Sequence, residues 1–111
     1  MEPPVNFENL HAITGGDEEV EAALFASFLE DTGACLESMR VAYSAGDEVL
    51  WRQQAHALKG ACINLGAQKL GDLCCRAQMS WQASSDDKYA ILQEIEGEFQ
   101  RVRDVLAKSS G

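Results

Sequence analysis

The apolar residues of this chain recur at intervals of three and four, the spacing that puts them on one face of an α-helix. The clearest run repeats in steps of four, three, four and three: Trp51, Ala55, Leu58, Cys62 and Leu65. No segment shows the alternation of apolar and polar residues that is typical of a half-buried strand. The pattern therefore predicts an all-α protein.

Short turns divide this helical pattern into separate helices. Gly46 and Gly66 are placed to end helices, and Asp17 and Asp47 are placed to cap the helices that they precede. Turns this short make consecutive helices antiparallel. We therefore expect one domain over residues 1–111, an up-and-down antiparallel four-helix bundle with a short additional N-terminal helix. The expected helices lie within 5–13 and at about 17–45, 47–65, 67–81 and 87–107.

The same spacing predicts which side chains face the core. In the second helix it turns Val20, Leu24 and Phe28 inward and leaves Glu21 in solvent. In the fourth helix it makes Trp81 the last residue of the buried stripe. The inward residues of the last helix are Leu92, Ile95, Phe99, Val102 and Leu106.

The charge of the chain argues against several classes of partner. Eighteen acidic and nine basic residues give a net charge of −9, which repels nucleic-acid phosphates and anionic lipid headgroups. No run of about 18 apolar residues is present, and the acidic N-terminus lacks the basic start of a signal peptide. We expect no nucleic-acid binding, no membrane insertion and a cytoplasmic location.

The cysteines and histidines do not form a metal-binding pattern. The four cysteines contain no C-x-x-C pair, and the adjacent Cys74 and Cys75 would point about 100° apart on a helix. Free thiols suit a reducing cytoplasm. His11 has no acidic or nucleophilic partner at helical spacing, so we expect it to be a surface or packing residue. No metal site is expected.

His56 is the residue with the clearest chemical potential. It lies about 100° round the helix from the inward-facing Ala55, at the boundary with solvent. A neutral imidazole is a competent nucleophile near pH 7 and could accept a phosphoryl group. Lys59 would be the nearest cation to pair with that group, and Arg52 a weaker one. Gly60 would leave room for it, although a surface histidine without function fits these spacings equally well.

A longer stretch of sequence favours the phosphoryl-acceptor interpretation. Residues 55–78, AHALKGACINLGAQKLGDLCCRAQ, resemble the signature of histidine-containing phosphotransfer (HPt) domains. Two departures are the small residues Ala61 and Cys62, where the family often has a hydroxyl pair, and Ala77, where it has a larger aliphatic residue. The positions on pattern are His56, Leu58, Lys59, Gly60, Leu65, Gly66, Ala67, Leu70, Cys74 and, at the polar end, Gln78.

The resemblance implies a role for each site residue. His56 would be the phosphorylated residue, Lys59 would neutralise the phosphate, and Gly60 would provide steric clearance. Gln53 and Gln78 resemble family positions that border the site. Ile63 is our candidate for an exposed apolar contact with a docking partner, with partial burial against the next helix as the other interpretation.

The chain has no glycine-rich phosphate loop, so we expect no ATP-dependent kinase activity and regard it as a phosphocarrier rather than a true enzyme. By resemblance, the phosphoryl group comes from and goes to an aspartate on the receiver domain of a response regulator or hybrid sensor histidine kinase. That partner would bring its own Mg²⁺, so no bound cofactor is expected here. His56 would then be an intermediate carrier in a multistep phosphorelay.

Two alternatives remain open at the level of sequence. One is a non-catalytic helical interaction module, a phosphotransfer fold whose histidine is inactive. The other is a histidine kinase dimerisation domain, which would build its bundle from helical hairpins of two chains. Because this chain has enough helices to close a bundle alone, we expect a monomer.

Overall fold

The computed structural model of this chain describes residues 4–110, and the regular secondary structure in that part is entirely helical. Helices α2 to α5 form an antiparallel bundle in which each helix packs against two neighbours, while α1 packs against α2. This confirms the predicted all-α bundle with its short N-terminal helix. The helices are α1 (Phe7–Thr14), α2 (Glu18–Ala45), α3 (Glu48–Leu65), α4 (Gln68–Met79) and α5 (Ser85–Ser110).

The helix ends follow the capping residues. The Asp17 carboxylate accepts hydrogen bonds from the backbone N–H groups of Glu19 and Val20 at 2.9 and 3.2 Å. The Asp47 carboxylate accepts one from Leu50 at 3.0 Å. Such caps satisfy N–H groups that have no partner inside the helix. Gly46 and Gly66 end α2 and α3 in the left-handed conformation, with φ of 68° and 90°.

The last two helices differ slightly from the predicted bounds. Helix α4 ends at Met79, where the Ser80 N–H donates to the carbonyls of Arg76 and Ala77, so Trp81 lies in the following turn. Helix α5 begins at Ser85 rather than Asp87 because the Ser84 hydroxyl accepts a hydrogen bond from the Asp87 N–H.

The core confirms the predicted face of α3 and corrects that of α2. All five predicted core residues of α3 are buried, and Trp51 Nε1 donates to the Ala77 carbonyl at 2.8 Å. In α2, however, Val20 is 49% exposed and Glu21 is only 7% exposed, the reverse of the prediction. The stripe continues from Phe28 through Phe25 to Glu21, because this end of α2 packs against α1. There Glu21 contacts Nδ1 of His11, whose side chain is largely exposed.

Candidate functional site

His56 projects outward from the middle of α3. Its neighbours Ala55 and Leu58 are fully buried and anchor the inner face of the helix, whereas His56 is exposed. Within residues 4–110 its imidazole makes no hydrogen bond, ion pair or ring contact. Both ring nitrogens are therefore available to a reactant that approaches from solvent.

Two cations that pair with no carboxylate of residues 4–110 flank His56. Lys59, half-buried, is one turn after His56, and Arg52, exposed, is one turn before it. Neither forms an ion pair with any other described residue. The chain from residue 49 to residue 71 contains no aspartate or glutamate. By contrast, four other cations are paired with carboxylates: Arg40, Lys69, Arg76 and Arg101. An anion could thus bind near His56 without displacing a carboxylate.

Gly60 is not required by packing inside the protein. A Cβ built at this position would meet nothing within 4 Å. The close helix approach occurs instead at Gly71, where a Cβ would lie 3.4 Å from Cγ1 of Ile63 and 3.6 Å from Cβ of Cys62. Glycine costs about 1 kcal/mol relative to alanine in a helix interior, and the open space beside Gly60 faces solvent.

Helix α4 runs antiparallel to the strip of α3 that bears His56. Two contacts fix the register: Ile63 lies against Gly71, and the Arg52 guanidinium lies over the ring of Trp81 at 4.5 Å. Because the helices are antiparallel, the residue seven positions before Ile63 on α3 is level with the residue seven positions after Gly71 on α4. These two residues are His56 and Gln78. Gln78 is half-buried, and its neighbour Ala77 accepts the Trp51 hydrogen bond.

The remaining predicted site residues are divided between two parts of the surface. Gln53 is exposed one turn before His56, and helical geometry puts it with Gly60 on the outermost line of α3, opposite the core. Ile63 is both exposed and partly packed: half of its surface, 50%, is exposed, and its Cγ1 packs against Gly71 of the next helix. Gln53 and Gly60 therefore lie with His56 on the exposed side of α3, and the register of the two helices puts Gln78 level with His56 on α4.

The sequence pattern missed one neighbour of the site, Trp81. It was expected in the core; it is half-buried in the turn after α4, packs against the core and also has the Arg52 guanidinium over its ring. The sequence places Trp81 at the spacing of a core residue. Its contact with Arg52 depends on the register between α3 and α4, which the spacing does not give. We give the surface formed by Arg52, Gln53, His56, Lys59, Gly60, Ile63, Gln78 and Trp81 the name His56 face.

Two of the four thiols, those of Cys35 and Cys62, are held in the protonated form. A hydrogen bond with Cys74, together with burial, raises the pKa of the Cys62 thiol. Burial and the nearby charge of Asp31 raise the pKa of Cys35. Because the thiolate is the reactive form, these sulfur atoms act as small apolar groups of the core.

The described part of the chain holds no group of three or more His, Cys, Asp or Glu residues arranged to bind a metal ion. None of its helices has the length and apolar character needed to cross a bilayer.

Comparison with known proteins identifies the family. The family model described as the Hpt domain matches residues 23–105. This chain belongs to the Hpt domain family. Its fold is similar to the crystal structure of histidine-containing phosphotransfer protein B (HptB) from Pseudomonas aeruginosa PAO1, with a TM-score of 0.89 and 26% sequence identity over 99% of this chain and 96% of that one. No curated protein sequence matches it significantly.

Family membership makes this Hpt domain a histidine phosphotransfer protein of a phosphorelay. The matched region includes all of α3 and α4 and therefore the whole His56 face. Helix α1 lies outside it.

Proposed function

We propose that His56 is the phosphoacceptor of this Hpt domain and carries a phosphoryl group between receiver-domain aspartates. The observation that supports this most directly is an exposed imidazole that has no partner among the described residues, flanked by two cations that pair with no described carboxylate. A histidine with a merely structural role is usually held by a hydrogen bond or packed against neighbours.

The reaction begins on the unprotonated ring nitrogen of His56. Its lone pair attacks the phosphorus of an aspartyl phosphate on the receiver. The N–P bond forms as the P–O bond to the aspartate breaks, and the aspartate leaves as a carboxylate. The attack leaves a positively charged imidazolium ring that still carries a proton on the second nitrogen. Loss of that proton to solvent makes the ring of the phosphohistidine neutral. Transfer to the next receiver reverses these steps.

Lys59 assists by pairing with the phosphoryl oxygens. It lies one turn along the same face of α3, and no carboxylate in the described part of the chain pairs with its ammonium group. Charge-assisted hydrogen bonds of this kind are about twice as strong as neutral ones. Phosphoryl transfer depends on charge stabilisation of this type and commonly on Mg²⁺, and we propose that the receiver domain holds the Mg²⁺.

A cytoplasmic location is part of the proposal. The four cysteines are free thiols, and free thiols persist in a reducing compartment. The partner in that compartment would be a response-regulator receiver domain or the receiver of a hybrid sensor histidine kinase.

The test is phosphoryl transfer from a receiver domain charged with acetyl phosphate. The wild-type protein should acquire a label that is acid-labile and base-stable and that mass spectrometry places on His56. His56→Gln should abolish labelling and leave the thermal unfolding curve unchanged, because the side chain has no internal contact to lose. His11→Gln is the matched control and should be labelled like the wild type.

Equal labelling of His56→Gln and the wild type would refute the assignment. A folded wild-type protein that binds charged receivers without acquiring label would instead favour the non-catalytic interaction module.

A further inference from the structure

The contact between Arg52 and Trp81 is the least expected feature of the His56 face. The guanidinium carbon lies 4.5 Å from the centre of the Trp81 ring, within the range of a cation–π interaction. Arg52 is exposed and Trp81 is half-buried. The guanidinium N–H groups are available to a ligand, since no carboxylate of the described residues binds them.

The surroundings of Arg52 favour an acidic ligand. Residues 49–71 carry three cations and no acidic residue, in a chain with a net charge of −9. Arg52 is one helical turn, about 6 Å, from His56 along the axis of α3. A protein that brings a phosphorylated aspartate to His56 must therefore also place some of its surface over Arg52.

We propose that Trp81 is a positioning residue that holds the Arg52 guanidinium at the edge of the His56 face, where it pairs with a carboxylate of the docked receiver domain. This inference rests on the proposed function and adds a docking contact outside the reacting atoms. The partner is a receiver whose docking surface carries an acidic side chain beside its phosphorylation pocket.

Stacking explains why an aromatic ring is useful at this position. A free arginine side chain loses rotamer freedom when it is fixed at an interface, which weakens binding. A guanidinium already held over a ring has lost part of that freedom, and its N–H groups can still donate to a carboxylate. Trp81 thus prepares Arg52 for docking without touching the partner's phosphoryl group.

The experiment measures single-turnover labelling of this protein by a charged receiver domain at increasing receiver concentration. Arg52→Ala should raise the receiver concentration for half-maximal rate about three- to fivefold and leave the rate at saturation within about twofold, as expected for an exposed docking ion pair. Trp81→Leu should raise the half-maximal receiver concentration about two- to threefold. Trp81→Phe should have the wild-type half-maximal concentration, because phenylalanine keeps the aromatic face. Added salt should reduce the difference between Arg52→Ala and the wild type.

Arg103→Ala is the matched control. Arg103 also lies over an aromatic ring, that of Phe99 at 5.8 Å, and forms no ion pair with another described residue. It belongs to α5, which packs against α2 and α4, away from the outer surface of α3. Its removal should leave the half-maximal concentration unchanged.

Each outcome decides one part of the inference. A wild-type protein that is not labelled overturns the proposed function and this inference with it. Normal labelling with an unchanged half-maximal concentration in Arg52→Ala overturns this inference alone. A shift in Arg52→Ala without one in Trp81→Leu removes the positioning role of Trp81. If thermal unfolding shows that Trp81→Leu is not folded, Arg52→Ala and Trp81→Phe decide, because Arg52 is exposed.

Discussion

At the scale of single residues, the position of His56 follows from the residues around it. Ala55 and Leu58 are buried on the inner face of α3. Because successive residues of a helix are about 100° apart, His56 must point away from that face. This part of the site was predictable from the sequence, since apolar spacing alone fixes which side of α3 is inside. The Arg52–Trp81 contact was not predictable in this way, because it depends on how far α4 slides along α3.

Gly60 gives the sharpest residue-scale prediction. A Cβ at this position meets nothing inside the protein, so Gly60→Ala should stabilise α3 and raise the free energy of unfolding by about 0.5–1 kcal/mol. If Gly60 keeps space for a docked receiver, the same change should slow labelling from a charged receiver several-fold. Denaturant unfolding and single-turnover labelling measure the two effects on one sample.

The control for this prediction is Gly97→Ala. Gly97 is also inside a helix, α5, and its Cβ would also meet nothing within 4 Å. It should bring a similar gain in stability with no change in labelling. Unchanged labelling of Gly60→Ala would show that the glycine does not serve docking.

At the scale of helices, the end of α3 connects the bundle to the N-terminal segment. Gly66 adopts φ of 90°, and its carbonyl accepts a hydrogen bond from the Asn6 N–H at 2.9 Å. The sequence predicted the helix end at Gly66, because a left-handed residue at this position is usually glycine. It did not predict the contact with Asn6, which depends on where the chain before α1 packs.

Gly66→Ala should destabilise the protein more than Gly46→Ala does. Both substitutions force alanine into the left-handed region, which costs about 1–2 kcal/mol. A Cβ at Gly66 would in addition lie 3.0 Å from the Asn6 carbonyl oxygen, whereas one at Gly46 would meet nothing within 4 Å. Urea unfolding of the two variants measures the difference. Equal losses would mean that Asn6 moves aside without cost.

The choice of which side of α2 faces the core shows a second limit of prediction at this scale. The apolar pattern assigned Val20 to the core and Glu21 to solvent, and both assignments were wrong. The buried stripe reaches Glu21 because α1 covers that end of α2 and His11 supplies a polar partner for the carboxylate. A buried carboxylate is tolerated when it has such a partner, and a single sequence does not show which distant residue will provide it.

At the scale of the whole molecule, the bundle closes within one chain. The inner face of α3 packs against α2 and α4, and α5 completes the ring by packing against both of those helices. The accessible surface is 6377 Å², near the value of about 6,000 Å² expected for a folded monomer of 12.1 kDa. The large exposed apolar residues are distributed over all four bundle helices: Val20, Val41, Val49, Ile63, Met79 and Tyr89.

We therefore predict a monomer, in contrast to a kinase dimerisation domain that needs helices from two chains. Light scattering coupled to size-exclusion chromatography should give a mass of 12.1 kDa at every concentration tested. A stable dimer would bury about 800 Å² on each partner. The His56 face is part of the surface that such an interface could cover. A doubled mass would contradict the prediction, and loss of labelling on dimerisation would place the interface over His56.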